Sequence, residues 1–181
     1  MFGRLRGEEG FLPLFMALMM PLIIFAWGLA VDFSRAHFVK AELQTAADAG
    51  SLAGAMTAVP VADIEYRPIT DANGNVTGVE EVVTGWRAVI QDEALAGSEA
   101  WGTFQANSGC LTPQAGVEFN KGSDYAGAKK DEDKYLVEAR AKVKMPWAGA
   151  AAAMMTGDRS FYEVLVQARG VGQAIVKTGI E

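Results

Sequence analysis

The stretch FLPLFMALMMPLIIFAWGLAV, Phe11–Val31, has 21 residues and no charged side chain. As an α-helix it would be about 30 Å long, which is the thickness of the hydrocarbon core of a bilayer. A buried helix of a soluble protein rarely reaches this length without a polar face, and this stretch has none. The sequence therefore predicts a membrane-spanning helix over residues 11–31.

The main alternative for this stretch is a cleaved secretory signal peptide. Such a peptide has an apolar region of about 7–15 residues that ends at two small residues separated by one other residue. The segment Ala26–Gly28, AWG, is a poor version of that pair, and it lies inside the apolar run instead of after it. The spanning helix is therefore the favoured interpretation.

The charges beside the apolar run predict its orientation. Arg4 and Arg6 precede the run, and Asp32 follows it directly. Because Lys and Arg are enriched on the cytoplasmic side of spanning helices, residues 1–10 are expected in the cytoplasm and the rest outside. Arg35 and Lys40, just beyond the far end, oppose this assignment.

The helix is predicted to continue beyond the membrane as an extension over residues 32–58. The segment DFSRAHFVKAELQTAADAGSLAGAMTA is rich in alanine, the best helix former, and Val59-Pro60 ends it. Small and apolar residues recur at three- and four-residue steps and form one packing face, which permits the close approach of another element. Its members are Leu43, Ala46, Ala47, Gly50, Ala53 and Gly54. The pattern leaves open whether this face packs on the protein's own C-terminal part or on other helices.

Residues 61–181 are predicted to form a β-rich domain, which gives an α+β fold class. Asn73-Gly74 predicts a tight hairpin turn, residues 85–97 a short helix, and residues 97–133 mostly loop. The alternating pattern of Lys134–Met145 predicts a strand with one wet face, followed by a short helix or turn at Trp147–Gly157. A final strand, with Gly170 and Gly172 as expected bulge or bend points, completes an antiparallel pair lying on the outer half of the long helix.

Composition and motifs argue against several classes of function. Beyond residue 60 the chain has 12 Lys and Arg against 17 Asp and Glu, which disfavours nucleic-acid binding. The only histidine, His37, has no second metal ligand near it, and the only cysteine, Cys110, has no histidine base to activate it. We expect no enzyme activity, no metal and no cofactor.

The N-terminal quarter of the chain resembles the TadE/TadG-like proteins of Flp (tight-adherence, Tad) pilus assembly. The shared features are a glycine before the apolar run, GLAVD at its end, and the element LQTAADAGSLAGA, with Leu43-Gln44 and Asp48 in the family pattern. The last two predicted strands and the insertion between them resemble the family more loosely.

This resemblance implies a minor pilin or pseudopilin-like component of a type IVb-class pilus, with a type IV pilin-like fold. Its implied location is the bacterial inner membrane, with a single pass and incorporation into the pilus as a further expectation. The implied partners are the lipid bilayer, other pilins and pseudopilins, Tad inner-membrane assembly proteins and a prepilin peptidase, with no nucleic acid. The implied role is filament initiation, a tip function or assembly through helix packing.

The resemblance also places a candidate prepilin peptidase cleavage site between Gly10 and Phe11. Prepilins of this class usually carry a glutamate five residues after the cut, and the fifth residue here is Phe15. The stretch GEEGFLPLF, residues 7–15, is therefore interpreted first as the boundary of an uncut anchor and second as a processing site. The alternative function is a single-pass envelope protein whose outer domain binds a ligand or partner unrelated to pili.

Overall fold

A computed structural model describes residues 11–109, 111, 116–157 and 162–177. Its first element is the long helix α1, Phe11–Met56, which is followed by the strands β1, Val59–Thr70, and β2, Val76–Val89. The remaining elements are α2 (Glu93–Asn107), β3 (Val117–Glu118), α3 (Lys121–Asp124), β4 (Tyr125–Lys129), β5 (Lys134–Lys144), α4 (Pro146–Thr156) and β6 (Glu163–Gln173). The predicted α+β class, a long apolar helix followed by antiparallel sheets, is confirmed.

The helix α1 is one element of 46 residues, roughly 69 Å long. It runs without a break from the apolar run into the alanine-rich segment and ends at Met56, shortly before Val59-Pro60. In its last turn the N–H of Ala58 donates to the carbonyl of Ala55 at 3.0 Å, and β1 begins at the next residue. The predicted helical extension is therefore present and ends within two residues of its expected boundary.

The strands β1 and β2 form an antiparallel hairpin. This hairpin is a two-stranded sheet of its own and does not pair with the second sheet of the protein. At its turn the carboxylate of Asp71 accepts hydrogen bonds from the backbone N–H groups of Asn75 and Asn73, at 2.9 and 2.8 Å. These hydrogen bonds, the one from Asn75 foremost, lower the pKa of Asp71. Within this turn only Gly74 has a positive φ, +83°, so the two-residue Asn-Gly turn expected from the sequence is replaced by a wider loop held by Asp71.

The second sheet has β5 at its centre. The strand β6 pairs with β5 along one side, while β4 and then β3 pair with successive parts of its other side, all antiparallel. The register between β5 and β6 is continuous from Lys134–Gln173 to Lys144–Glu163. Of the two alternatives predicted for Gly170 and Gly172, the bulge is therefore wrong, and these glycines have a further role, described below.

The helix α2 corrects the prediction made for residues 85–133. Residues 85–89 belong to β2, and the helix begins only at Glu93, where the side chain of Asp92 accepts a hydrogen bond from the N–H of Leu95 at 2.9 Å. Ala96, Ala100 and Phe104, four residues apart, form its buried face. The helix thus occupies a segment whose glycine and serine content had indicated a loop.

Candidate functional site

The predicted packing face of α1 lies against the protein's own C-terminal part. Leu43, Ala46 and Ala47 are fully buried, and Gly50 and Gly54 are also buried, while Ala53 is partly buried. The elements that cover this face are α2, β5 and β6 of the same chain. The sequence left open whether this face packs on the protein's own C-terminal part or on other helices. In the structure it packs on the C-terminal part of the same chain.

Two glycines of this face allow the closest approach. A Cβ built on Gly50 would lie 2.8 Å from the carbonyl oxygen of Ala100 in α2, which is closer than real Cβ contacts come. A Cβ on Gly54 would lie 2.5 Å from the ring of Tyr135 in β5. We call the part of the chain from α2 to β6 the head. The small residues of α1 are matched to this head, and a larger residue at either position would push α2 or β5 away.

In the contact between α1 and β6, the strand also contributes glycines, Gly170 and Gly172. A Cβ on Gly170 would overlap the carbonyl of Ala47, and one on Gly172 would overlap the carbonyl of Ser51. The backbone of β6 therefore lies directly on the backbone of α1, which only glycine permits. Because residue 170 meets residue 47 and residue 172 meets residue 51, β6 runs along α1 in the same direction, away from the apolar run.

Two polar residues of α1 fix the edge of this sheet. The side-chain amide of Gln44 donates to the carbonyl of Arg169 in β6 at 2.9 Å and accepts from the N–H of the same residue at 3.4 Å. The same amide donates to the carboxylate of Asp48 at 2.9 Å, one helical turn further on. Gln44 thus pairs with the strand much as a neighbouring strand would, and Asp48 holds it in place.

Asp32 connects α1 to α4. This side chain is only 2% exposed, and its carboxylate accepts hydrogen bonds from the backbone N–H groups of Trp147 and Ala148, at 2.7 and 2.8 Å. Those N–H groups lie in the first turn of α4, where no helical carbonyl is available to them. The local cap residue, Met145, makes no side-chain hydrogen bond, so Asp32 serves as the cap from a different element. One turn earlier, Gly28 lies directly beneath the ring of Trp147.

An aromatic cluster holds α2 against the second sheet. The ring of Tyr125 in β4 contacts the rings of Trp101 and Phe104 in α2, with centroids 4.8 and 5.0 Å apart. The hydroxyl of Tyr125 is buried, and the described part of the chain offers it no hydrogen-bond partner. Burial, together with the nearby hydroxyl of Tyr135, raises the pKa of Tyr125 to about 12.

The remaining sequence-predicted residues have no shared site. His37 is exposed on α1, and among the described residues no group of three or more His, Cys, Asp and Glu side chains could hold a metal ion. Gly10 and Cys110 lie outside the described residues, and Phe11 is the first residue of α1. The geometry of the Gly10–Phe11 cleavage site is therefore not part of the described structure, and the site stays a prediction.

The docking contacts of α1 fall within a segment that a family model recognises. Residues 10–57 match the model described as putative Flp pilus-assembly TadE/G-like. This TadE/G-like segment is the whole of α1 and almost nothing else, and it includes every α1 residue that docks the head: Asp32, Leu43, Gln44, Gly50 and Gly54 among them. No curated protein and no solved structure matches the chain.

The TadE/G-like segment contains two site residues that sequence reasoning quoted without assigning a role. Asp32 ends the GLAVD element and caps α4, and Gln44 of the LQTAADA element pairs with β6. The available signal was their position, since each is a polar residue of α1 beside buried small or apolar ones, Gly28 for Asp32 and Leu43 for Gln44. Their partners, Trp147 and Arg169, could not be read from α1 alone.

Proposed function

We propose that the protein is a membrane-anchored minor pilin or pseudopilin-like component of a Tad (Flp) pilus-assembly system, without catalytic activity. The observation that carries this proposal is the division of α1 into two parts. From Asp32 to Met56 one face is covered by the protein's own sheet and α2, whereas residues 13–31 are apolar and largely bare. The match of residues 10–57 to the TadE/G-like model supports the same role.

In this proposal residues 11–31 cross the bacterial inner membrane once. The segment is long and apolar enough for a span, by length and composition. Residues 1–10 lie in the cytoplasm, and the helical extension over 32–58 and the domain over 61–181 lie outside. Arg4 and Arg6 support this orientation, since basic residues favour the cytoplasmic side.

The bare part of α1 is the surface proposed for contact with other pilins and with Tad inner-membrane proteins. A helix that is apolar all round is stable in lipid and equally stable inside a bundle of similar helices. The packing face of the outer part of α1, residues 32–56, is already covered by the head. Contacts between subunits are therefore assigned to the inner part, residues 13–31. Transfer from membrane to filament then needs no covalent chemistry, only an exchange of lipid for protein neighbours.

A helix exchange tests this role against that of a simple anchor. The gene is deleted, surface pili are counted by electron microscopy, and the strain is complemented either with the wild type or with a variant whose residues 11–27 come from an unrelated single-pass membrane protein. We expect the wild type to restore pili and the variant to insert but fail. Full restoration by the variant, or unchanged piliation after deletion, would favour the envelope protein with an unrelated ligand-binding domain.

Mass spectrometry of the protein extracted from membranes tests the processing site. A chain that begins at Phe11 would show cleavage by a prepilin peptidase, and a Gly10→Val variant should then remain uncut. A chain that begins at Met1 would show an uncut anchor. A chain that begins near Leu29 would show a secreted protein and would contradict the proposed anchoring.

A further inference from the structure

The helix α4 connects β5 to β6 at the end of the sheet that lies nearest the apolar run. Because β6 runs along α1 away from that run, its first residue, Glu163, is at the end of the sheet nearest the run. Its β5 partner, Lys144, is at the same end. The helix between them therefore begins where the bare part of α1 ends. The contacts of Asp32 with the first turn of α4 agree with this position.

Contacts with α1 fix the depth of α4. Trp147 packs on Gly28, which lies inside the uncharged run and about 4.5 Å before its end at Val31. Neighbouring α1 side chains at this level, Trp27 and Val31, are 72% and 58% exposed. If residues 11–31 are surrounded by lipid, a ring that touches Gly28 lies at the level where lipid meets water.

The composition of α4 fits that level. Residues 145–157, MPWAGAAAAMMTG, carry no charge, and the helix is closed by Gly157 with a φ of +73°. Met154 and Met155 at its far end are 85% and 87% exposed. Tryptophan is enriched at membrane–water interfaces, and an uncharged helix with two bare methionines gains free energy from burial in lipid.

We propose that α4 lies in the outer interface of the bilayer, as a second membrane contact beside the spanning helix. This inference rests on the proposed anchoring of residues 11–31, and it adds that the head is held against the membrane surface at two points. Asp32 then has a function beyond capping, since it fixes α4 at the level of the lipid headgroups. The partner is a lipid surface, and burial of Met154 and Met155 against protein is an outcome that the test below separates.

Nitroxide labels on the full chain test this placement. Cys110 is replaced by serine, single cysteines are introduced as Met154→Cys, Leu22→Cys and Ser98→Cys, and each protein is reconstituted in vesicles of phosphatidylethanolamine and phosphatidylglycerol. Collision of the label with oxygen, which concentrates in lipid, is compared with collision with a nickel complex, which stays in water. The label at residue 22 reports the spanning segment, and the label at residue 98, on the exposed side of α2, reports water.

We expect residue 154 to favour oxygen, as residue 22 does, and residue 98 to favour nickel. If residue 22 favours oxygen while residue 154 favours nickel, the inference is wrong and the anchor stands. If residue 154 is shielded from both reagents, protein covers α4 and the inference is also wrong. If residue 22 favours nickel, the anchor itself fails and the inference fails with it. A Met154→Cys, Met155→Glu variant should shift the same label toward nickel, because the charge opposes burial.

Discussion

The inner part of α1, residues 13–31, and its outer part, residues 32–56, place their large apolar side chains in opposite surroundings. In the inner part Leu22 and Ile23 are 56% and 52% exposed, whereas in the outer part Leu43 and Val39 are 0% and 1% exposed. The outer part carries glycines and two hydrogen-bonding polar residues that match a specific partner in the same chain. The inner part carries large apolar residues, such as Leu22 and Ile23, whose side chains are exposed.

This difference shows which part of α1 has its packing satisfied within the subunit. Small residues spaced four apart are often taken as a signal for contact between helices of different chains. Here Gly50 and Gly54 receive Ala100 and Tyr135 of the same chain, so the signal is used within the subunit. The inner part needs only an apolar environment, which lipid or neighbouring helices can supply.

The largest expected effect comes from charge in the inner part. We expect the double variant Leu22→Lys, Ile23→Lys to lose stable membrane association, because each lysine near the centre of a span costs about 2.5–3.5 kcal/mol. Extraction of membranes at alkaline pH, followed by detection of the protein in pellet and supernatant, measures this loss.

The matched control places the same charges on the exposed side of the outer part, as Phe38→Lys, Thr45→Lys. Both residues are exposed on α1, away from the head. This variant should stay in the membrane pellet. Equal behaviour of the two variants would contradict the division of α1 into a lipid-facing and a water-facing part.

The next effect concerns the covered face of the outer part. We expect Gly170→Ala to destabilise the head by about 2–3 kcal/mol, because the added methyl group overlaps the carbonyl of Ala47 and forces β6 away from α1. Thermal unfolding in detergent, followed by the circular dichroism of the strands, measures the change.

Gly102→Ala is the control for this substitution, since the same methyl group in α2 would meet nothing within 4 Å. It should leave stability unchanged or raise it slightly, because alanine favours a helix over glycine. A similar loss in both variants would mean that the contact between β6 and α1 is not close in solution.

The parts of the fold with a strong periodic pattern were predictable from sequence. The charge-free run, the alanine-rich extension and the alternation of Tyr135, Val137, Ala139, Ala141 and Val143 each have one structural solution, and the structure contains all three. The position of β5 and β6 on the outer part of α1 also followed, since a sheet with one apolar face must cover something.

The helix α2 and the docking contacts were not predictable in the same way. The segment of α2 contains glycine and serine, which lower helix propensity, and its stability comes from burial of Ala96, Ala100 and Phe104 against α1 and β4. The hydrogen bonds of Asp32 and Gln44 join residues more than 100 positions apart. A local pattern contains no information on such partners.

A smaller effect is expected at the junction of the two parts. We expect Asp32→Ala to weaken the docking of α4 by about 1–2 kcal/mol, because the N–H groups of Trp147 and Ala148 lose their acceptor. Hydrogen exchange at these two amides should become faster, while exchange in β5 stays slow.

Asp32→Asn keeps a side-chain oxygen that can accept a hydrogen bond, so it should recover part of the protection. If Asp32→Ala leaves exchange at Trp147 unchanged, α4 is held by the contact of its ring with Gly28 and not by the cap. In that case the junction would depend on packing alone.

The smallest expected effect is a loss of stability at high pH that is confined to the head. The inner part, from Pro13 to Val31, has no charged side chain, whereas the head that covers the outer part contains Tyr125 with its pKa raised from the ordinary 10.0 to about 12. Because the folded state favours the neutral phenol, this group's contribution to stability is complete below pH 10 and is lost as the pH rises through 12. We expect unfolding temperatures of the head, but not membrane association, to fall over this range.

Tyr125→Phe isolates the contribution of this phenol. Its hydroxyl is buried and makes no hydrogen bond to any described residue, so its removal should leave stability near neutral pH unchanged or slightly higher. The variant should also lose less stability than the wild type between pH 10 and pH 12, although Tyr135, whose pKa burial also raises, still titrates. If wild type and variant decline in parallel, Tyr125 ionises in the folded state as easily as in the unfolded chain, and the aromatic contact between α2 and β4 is looser than the structure shows.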